Sequence, residues 1–566
     1  MILSLQMRTF LSIILLAVIL PLITNGQSKH EDVILQAMQD ELDRNMKELR
    51  LPNHDKPFFI MYNVQDQTSY DISATLGSIV QSSQRPARFK SNTRILVGDY
   101  SFNDESLDDN ITSAPSALEI SLPIDADYLG IRRALWSSTD KVYRDAARHF
   151  LKHQQTLKES GKKLDEIPHR SFAKGEPIKL ISTVEPYAFD RSAWESKLKD
   201  LSSIFLKHPD ILYSGVVLQF SEGHNYIVNS EGVVAKIPFQ KTSLVVIAQG
   251  KNEDGEFVVD QVIHEARTPD KLPAMDKLKN DVENMISGIG HQLTLPKLDD
   301  EYNGPVLLEG PAVAGVFTTV LFEGTETVYA SNFVPRISGF QYSGNNPGID
   351  NKIGKNILNE AITVKARPGL KSYNGTELFG AFEIDDEGIK PPDELVIIEN
   401  GVLRNLLNDR TIINANQMAN GFSSGPGVVE VTTTFKNSGD ELKEKLLAAA
   451  KAERLNFALI IRQSPLLMGV VNVYKVSVSD GKEELMRNAR LSEVNFRNLR
   501  RLLGASGNYQ AHNLNTSKFF NPGASGPGMS YIVPEAILVE SLDVKPFEMP
   551  ALKEEDYVSN PLLEVK

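Results

Sequence analysis

The sequence predicts an α+β protein of two domains, with N-terminal helices and an antiparallel meander sheet followed by a β-rich C-terminal domain with flanking helices. At 566 residues the chain is too long for one ordinary hydrophobic core. Apolar residues recur at helical spacing from residue 31, whereas short apolar runs separated by polar turns begin at residue 58. Turns such as Ser230-Glu231-Gly232 join apolar runs directly, which is typical of antiparallel hairpins.

In the first half, helical spacing predicts four helices, over residues 31–49, 127–161, 191–206 and 274–289, the last closed by Gly290. Short apolar runs over residues 58–100 predict a small sheet. Five further runs predict the strands of the meander, at residues 212–220, 226–228, 233–238, 243–247 and 257–263. The polar and acidic stretch that starts near residue 295 predicts the boundary between an N-terminal domain, 27–295, and a C-terminal domain, 296–566.

The second half opens with a strand that feeds straight into a helix with Pro311 at its first position, where the missing N–H costs nothing. The non-periodic residues 332–351 are long enough to form a functional loop. Ser492 is expected to cap a helix that ends at Gly504. The remaining expected elements are a helix over 441–453, strands over 457–461, 471–478, 531–533 and 537–544, and a glycine-rich loop over 525–529.

The stretch 379–407 is the part around which the second half is organised. Two apolar runs within it, 379–384 and 395–398, are expected to be strands. Asn400 and Gly401 follow the second run, and both tolerate the positive φ that a type I′ hairpin turn requires. The stretch therefore predicts a strand, a turn and a hairpin.

Asp385, Asp386 and Glu387 stand in a row before Gly388, between those two apolar runs. Three successive carboxylates could bind a cation. Charge runs usually lie in water, so a solvated turn closed by the glycine is the interpretation we favour.

The N-terminus predicts an export signal, because Arg8 precedes an apolar run from residue 10 to 23 and small residues end at Gly26. We place the signal peptide at residues 1–26 and expect a periplasmic or extracellular protein; a membrane-anchored N-terminus is the alternative. The chain has no cysteine, which excludes disulfides and thiolate ligands. Its net charge of −13 argues against nucleic acid or an anionic membrane as the main partner.

Two short motifs raise catalytic or metal-binding hypotheses. Residues 421–425 match the G-x-S-x-G string of a serine-hydrolase elbow, but a β-rich run follows where the elbow needs a helix. His149 and His153 stand four apart on a predicted helix, as zinc ligation requires, but no third ligand is signalled and two solvent-edge histidines are favoured. His264 lacks a second histidine at the metalloprotease spacing.

The second half resembles the TldD/PmbA family, a metallopeptidase-related family also known as modulators of DNA gyrase. The resemblance rests on the order and spacing of six segments taken together. They are GPVLLEGPAVAGVF at 304–317, IDDEG at 384–388, VIIENGVL at 396–403, Asp409-Arg410, Asn420-Gly421 and LMRNARL at 485–491. In the first half, VNSEG at 228–232 and the helix-plus-meander order fit the family's N-terminal domain.

Active members of the family carry His-Glu-x-x-x-His at the start of the helix after the first strand, and a later cysteine as a further metal ligand. The metal lowers the pKa of its bound water and polarises the scissile carbonyl. Matching that motif onto this chain puts Glu309, Gly310 and Ala314 at the three positions. The resemblance therefore implies a PmbA (TldE)-like member without the family's zinc or similar divalent metal, so we expect no cofactor and no catalytic residue.

The resemblance implies a subunit that pairs with a metal-bearing TldD-like subunit, or forms a homodimer, around a chamber for unfolded peptides. Candidate residues of the substrate groove are Glu309, Asp385, Asp386, Glu387 and Asn420. Two alternatives stay open: a peptidase that is active alone with a non-standard metal site including Glu309, and a peptide-binding scaffold without activity. No nucleic acid and no stable membrane anchor are expected.

Overall fold

The computed structural model describes residues 32–85, 90–107, 117–251, 257–323, 326–330, 349–413, 418–462, 470–492, 494–514 and 529–547. Helices and three large sheets confirm the predicted α+β class with a β-rich second half. The predicted signal peptide, most of the loop at 332–351 and residues 525–528 lie outside the described residues. No helix in the described part of the chain is long and apolar enough to cross a membrane.

The described residues form seven α-helices, most of which begin at a side-chain cap. They are α1 (Val33–Glu48), α2 (Tyr128–Ser160), α3 (Arg191–Ser202), α4 (Met275–Thr294), α5 (Pro311–Thr318), α6 (Gly439–Ala452) and α7 (Phe496–Arg500). The carboxylates of Asp32, Asp127 and Asp190 each accept a backbone N–H of the first helical turn. Gly161 ends α2 in the left-handed conformation, so the predicted bounds 127–161 are confirmed as its two caps.

The three longest strands of the described chain lie in the first half. The first half contains β1 (Pro57–Thr75), β2 (Ser78–Arg85), β3 (Lys90–Val97), β4 (Ala117–Ser121), β5 (Ser171–Phe172), β6 (Lys179–Ile181), β7 (Ile211–Asn229), β8 (Val234–Lys251) and β9 (Phe257–Ala266). The second half contains β10 (Tyr302–Glu309), β11 (Ile362–Ala366), β12 (Ser372–Tyr373), β13 (Thr376–Glu377), β14 (Leu395–Glu399), β15 (Val402–Leu403), β16 (Thr411–Ile412), β17 (Val428–Thr433), β18 (Phe457–Ile461), β19 (Val470–Val471), β20 (Val473–Ser477), β21 (Glu483–Leu485), β22 (Ala489–Leu491), β23 (Leu502–Ala505), β24 (Tyr509–Leu514), β25 (Met529–Pro534) and β26 (Ala536–Pro546).

The first sheet has the order β4-β3-β1-β7-β8-β6, with β2 added to β1 and β9 added to β8. Its three long strands bury apolar side chains in two separate clusters, one beneath α1 and α2 and the other beneath α3 and α4. This face is half-buried and polar between the two clusters. The long strands therefore connect two small cores instead of covering one.

The second half contains two sheets, β19-β22-β26-β10-β18-β20-β21 with β23 on β26, and β15-β14-β11-β17-β25-β24. The largest apolar cluster of the chain takes side chains from both sheets and from α5. Seven of the eight residues of α5 are buried, so this helix lies inside the core. Because β10 lies within one of these sheets and α5 within the core, the turn that joins β10 to α5 is held in place.

Four sequence predictions of local structure are wrong, each for a tertiary reason. The expected breaks at 221–225 and 239–242 do not occur, because the ladder between β7 and β8 continues through them. Helix α4 runs past Gly290 to Thr294, and its Gln292 donates to the Met486 carbonyl of the second half. Gly504 lies inside β23, and the short helix before it is capped by Asn495 instead of Ser492.

The fourth wrong prediction concerns residues 379–384, which form no strand. Their backbone groups bond outside any ladder: Gly380 N–H donates to the Ser530 hydroxyl and Phe382 N–H to the Pro368 carbonyl. The apolar side chain of Phe382 packs against the core of the second half. An apolar run alone does not distinguish such a packed loop from a strand.

The hairpin predicted at Asn400-Gly401 is confirmed. Strands β14 and β15 pair on either side of it, with Glu399 opposite Val402. Both turn residues have positive φ, 48° for Asn400 and 77° for Gly401. The sign of φ at both positions is that of a type I′ turn.

Candidate functional site

The turn between β10 and α5 lies at the positions that the sequence matched to a metal motif. Strand β10 pairs with β18 on one side and β26 on the other, so its end is held in the middle of a sheet. Gly310 follows with φ of 60°, and its N–H donates to the Glu535 carbonyl. The turn thus points the Glu309 side chain away from the helix core, where it stays about one-third exposed.

The Glu309 carboxylate forms an ion pair with Arg462, whose Nε lies 2.7 Å from Oε2. The same guanidinium donates to Glu483 at 2.9 Å, and Glu483 also pairs with Lys443 at 2.7 Å. Arg462 lies over the Tyr474 ring, 4.3 Å from its centroid. Although partial burial acts against it, hydrogen bonds to Glu309 and Glu483 raise the pKa of Arg462. Two carboxylates and two cations therefore neutralise one another.

The acidic turn at residues 385–388 has a different setting, because most of it is buried between the two halves of the chain. Asp385 and Glu387 are each only 1% exposed. The Asp385 carboxylate accepts the N–H groups of Glu387, Ile389 and Ser423 at 2.8–3.1 Å. Burial, with the neighbouring Asp386 and Glu387 charges, nevertheless raises the pKa of Asp385 to about 8. The prediction that this turn is solvated is wrong.

Glu387 is held by two arginines that come from opposite halves of the chain. One carboxylate oxygen receives a hydrogen bond from Arg94 of β3, and the other accepts the backbone N–H of Arg410 at 2.8 Å. Arg94 also pairs with Glu105 at 2.7 Å. The Arg410 side chain in turn pairs with Glu231 at 2.7 Å and donates to the Ala173 carbonyl.

Phe172 lies between the two guanidinium groups of this cluster. Arg410 is 4.1 Å and Arg94 is 4.9 Å from the centroid of its ring. Phe172 belongs to β5, which pairs with β16 and so forms a two-stranded sheet between the halves. Charged, aromatic and main-chain contacts therefore join the halves at one place.

The family-model comparison matches residues 303–493 to the PmbA/TldA metallopeptidase C-terminal domain. The match contains the β10–α5 turn, the acidic turn and Arg410, all described above. Residues 303–493 therefore form a domain of the TldD/PmbA family. A search of curated proteins finds no match.

Solved structures of the same fold cover most of this chain. A protein from Thermotoga maritima named as a modulator of DNA gyrase is 16% identical, with a TM-score of 0.53 over 86% of this chain and 96% of its own. TldE from Thermococcus kodakarensis is 14% identical, with a TM-score of 0.52 over 90% and 100%. A protein from Bacteroides thetaiotaomicron, also named as a gyrase modulator, is 12% identical, with a TM-score of 0.56 over 90% and 98%.

The metal that the TldD/PmbA resemblance implies does not fit the residues at the matched positions. Glu309 offers one carboxylate, which Arg462 engages; Gly310 offers no side chain. Ala314 is fully buried among apolar residues of the core. Among the described residues, no group of three or more His, Asp or Glu side chains is arranged to hold a metal ion.

The five residues predicted for a substrate groove fall into two settings in the structure. Glu309 lies at the half-exposed Arg462 ion pair, whereas Asp385, Asp386 and Glu387 lie in the junction between the halves. Asn420 is near the junction, where its side chain bridges Leu406 O and Asn408 N at 2.8 and 2.9 Å. Their role in a groove stays a prediction.

The serine and histidine motifs also have local partners. Ser423 is 3% exposed and its hydroxyl donates to Asp386, while β17 follows the motif in place of a helix, as expected. His153 is buried, with its Nδ1 3.0 Å from the Asn103 carbonyl, so the prediction of a solvent-edge histidine is wrong at this position. His264 lies 3.1 Å from Asp281 of α4.

The sequence analysis did not predict a role for two arginines: Arg94 in the junction between the halves and Arg462 beside Glu309. Neither belongs to a segment that carries the family resemblance. Arg462 directly follows β18, at the end of the strand that runs parallel to β10, so a correct pairing of those two strands would have placed it beside Glu309. Nothing local in the sequence signals that Arg94 is buried.

Proposed function

We propose that this protein is an exported, non-catalytic PmbA-like subunit of a metallopeptidase complex that acts on unfolded peptides. The observation that carries the proposal is the Glu309–Arg462 ion pair at the position matched to the first metal-binding histidine. An arginine beside a carboxylate repels a divalent cation as well as competing for its ligand. Gly310 supplies no base and Ala314 no ligand, which supports the same conclusion.

The partner we propose is a metal-bearing TldD-like subunit, with a homodimer as the second possibility. Support comes from the TldD/PmbA domain at residues 303–493 and from the preserved fold around a turn without catalytic side chains. A subunit of this kind contributes wall and binding surface to a chamber whose chemistry the partner supplies.

Strand β24 is the best candidate for peptide contact in this chain. It is the edge strand of the six-stranded sheet, so one side of its backbone has no strand neighbour among the described residues. The Gln510 side chain of β24 lies near Gly310. Its Nε2 atom would be 3.9 Å from a Cβ atom at position 310. An extended peptide added to this edge would pass beside the β10–α5 turn, and main-chain pairing needs no particular side chain.

Metal content tests the proposal. Residues 27–566 are purified without chelator and measured by elemental mass spectrometry, beside the variant Arg462→Met, which frees the Glu309 carboxylate. We expect no stoichiometric transition metal in either protein. Metal in the unaltered chain that disappears in Glu309→Ala would refute the non-catalytic assignment and favour a peptidase that acts alone.

Co-expression tests the partner. A TldD-like protein with an intact His-Glu-x-x-x-His motif from the same genome is produced together with this chain, and the two are separated by size-exclusion chromatography. We expect one stable complex that cleaves unfolded peptides through the partner's metal. If the chain binds unfolded peptides but no such protein, the peptide-binding scaffold takes the place of the subunit.

Export is tested separately, by fractionation of the producing cells and sequencing of the mature N-terminus. We expect the protein outside the cytoplasm with Gln27 as its first residue. A cytoplasmic protein that keeps residues 1–26 would contradict export. The proposal of a non-catalytic subunit would be unaffected by that result.

A further inference from the structure

The outward face of α2 combines exposed apolar side chains with a high density of cations. Leu129 is 69% exposed, Trp136 50% and Leu151 41%. The three lie on one stripe of the helix, because their spacings of 7 and 15 residues approximate whole turns. The described elements that pack on α2 are α1, β3 and β4, on its buried side. These exposed apolar side chains form a stripe along an otherwise polar helix face, so that face of α2 is amphipathic.

Helix α2 is basic in an acidic protein. It carries seven Lys and Arg residues and three Asp and Glu residues, a net charge of +4, whereas the whole chain carries −13. The exposed cations among them lie within the apolar stripe or along one side of it, and they are Arg133, Lys141, Arg144, Arg148, Lys152 and Lys158. Arg144 and Arg148 are paired with acids on the same helix. The surplus positive charge is therefore carried mainly by Arg133, Lys141, Lys152 and Lys158.

We propose that this face of α2, the α2 surface, docks on a lipid bilayer that contains anionic lipids. Interfacial helices have the same chemistry: cations that meet headgroup phosphates, and Trp and Leu side chains that enter the headgroup region. The net charge of −13 does not prevent the contact, because charges farther than about 8 Å apart in water are largely screened at physiological salt. A local surplus of positive charge then decides the orientation of the protein at the membrane.

The position of α2 in the fold favours a membrane over an acidic protein as the occupant. Helix α1 packs directly on α2, with Tyr128 Oη 2.6 Å from the Asp40 carboxylate and Arg132 Nε 3.1 Å from Glu41. The apolar run at residues 10–23 leads into α1. Of the described elements, α1 is the nearest in sequence to that run, and α2 packs against it.

Vesicle binding by residues 27–566 tests the proposal. The protein is mixed at low salt with vesicles of phosphatidylcholine alone, or of phosphatidylcholine and phosphatidylglycerol in equal parts, and then sedimented. We expect binding only to the anionic vesicles and its loss at high salt. Trp136 supplies a second readout: the only other tryptophan, Trp194, is 5% exposed, so a blue shift on binding that Trp136→Phe abolishes places α2 in the headgroup region.

Two charge-reversal variants distinguish the α2 surface from diffuse attraction. Replacing Arg133, Lys141 and Lys152 by Glu removes three contacts, each worth roughly fivefold in partitioning, so we expect binding to fall by roughly a hundredfold. The matched control reverses the same number of charges on other exposed lysines, Lys207→Glu, Lys451→Glu and Lys482→Glu, and is expected to keep most of the binding.

Equal losses in the two variants would overturn the proposal, as would no binding of the unaltered protein to anionic vesicles. Binding of soluble polyglutamate through the same three cations, without vesicle binding, would overturn it in favour of an acidic protein partner. None of these outcomes depends on metal content or on a partner subunit, so the test is independent of the proposed function.

Discussion

Arg410 donates from one guanidinium nitrogen to both carboxylate oxygens of Glu231, 2.7 Å from each, across the junction between the two halves of the chain. Both side chains are almost fully buried. The pair is surrounded by aromatic rings and by the Ala173 carbonyl, so neither charge has water as a substitute partner. Removal of one partner would leave the other as a buried charge without its counter-ion, which is strongly destabilising.

Replacement of Arg410 by Met is expected to lower the free energy of unfolding by about 3–5 kcal/mol, because the buried Glu231 charge then loses its cation and keeps only the hydrogen bonds from Tyr100 and the Gly175 N–H. Denaturant unfolding followed by circular dichroism measures the change. Arg404 is the matched control: it pairs with Glu399 at 3.0 Å with both side chains about half exposed. Arg404→Met should cost at most about 1 kcal/mol. Equal effects of the two substitutions would mean that the junction does not depend on the buried pair.

Gly401→Ala is expected to destabilise the protein far more than Gly375→Ala. Both glycines have positive φ, 77° and 82°. A Cβ at Gly401 would lie 2.5 Å from the Leu358 carbonyl oxygen, whereas at Gly375 no atom is within 4 Å. The left-handed conformation costs about 1–2 kcal/mol for alanine at either site. Only at Gly401 does the close contact between the new Cβ and the Leu358 carbonyl oxygen add to this conformational cost. The difference between the two variants' melting temperatures measures the steric part, and its absence would contradict the hairpin geometry.

Stability is expected to fall as pH rises from about 4 to about 8, because of the shifted pKa of Asp385. Burial beside other carboxylates raises the pKa of Asp385 from 3.8 to about 8, so its proton stays bound in the folded state at pH 7 and is lost on unfolding. A group of this kind stabilises the fold below pH 3.8, and its contribution is lost as pH rises through 8. Between pH 3.8 and pH 8 this group lowers the free energy of unfolding by about 1.4 kcal/mol per pH unit.

The variant Asp385→Asn isolates this effect, since asparagine cannot titrate. Unfolding free energies of both proteins are measured between pH 5 and 9, and their difference is followed against pH. We expect the difference to shrink as pH rises, because only the unaltered protein loses stability through Asp385. A difference that is constant over this range would show that Asp385 is ionised throughout.

Grafting the family's metal motif by Glu309→His, Gly310→Glu and Ala314→His is expected not to create a metal site. Ala314 has no exposed surface and Gly310 has φ of 60°, so the new side chains meet the packed core and an unfavourable backbone. The histidine at 314 alone should cost about 2–4 kcal/mol through overpacking and an unpaired polar group. Metal titration followed by calorimetry checks the result. Stoichiometric zinc binding in a folded graft would show that the site lacks only its ligands.

The sequence predicted elements well wherever the signal was local. The caps of α2 at Asp127 and Gly161, the hairpin at Asn400-Gly401 and Pro311 at the start of α5 each depend on residues within one turn of the chain. Family motifs likewise located the β10–α5 turn and the acidic turn. The fold class and these two places were therefore predictable.

Burial and continuity of elements were not predictable in the same way. Glu387 is buried because Arg94, 293 residues earlier, neutralises it, and no local pattern encodes that partner. The polar residues that suggested breaks in β7 and β8 pair with each other across a ladder, as Ser221 does with Lys241. Arg462 was missed for the same reason, since its ion pair with Glu309 needs the parallel pairing of β10 with β18.

The pairing of β5 with β16 also constrains the order of folding. The Arg410 guanidinium reaches the Ala173 carbonyl across 237 residues of chain, so this contact closes a very long loop and forms only when both segments have been synthesised. Until then Phe172 and Glu231 of the first half have no partners from the second. A first half that folds early must therefore keep this strand edge uncovered, and a chaperone that shields it during that interval would raise the yield of native protein.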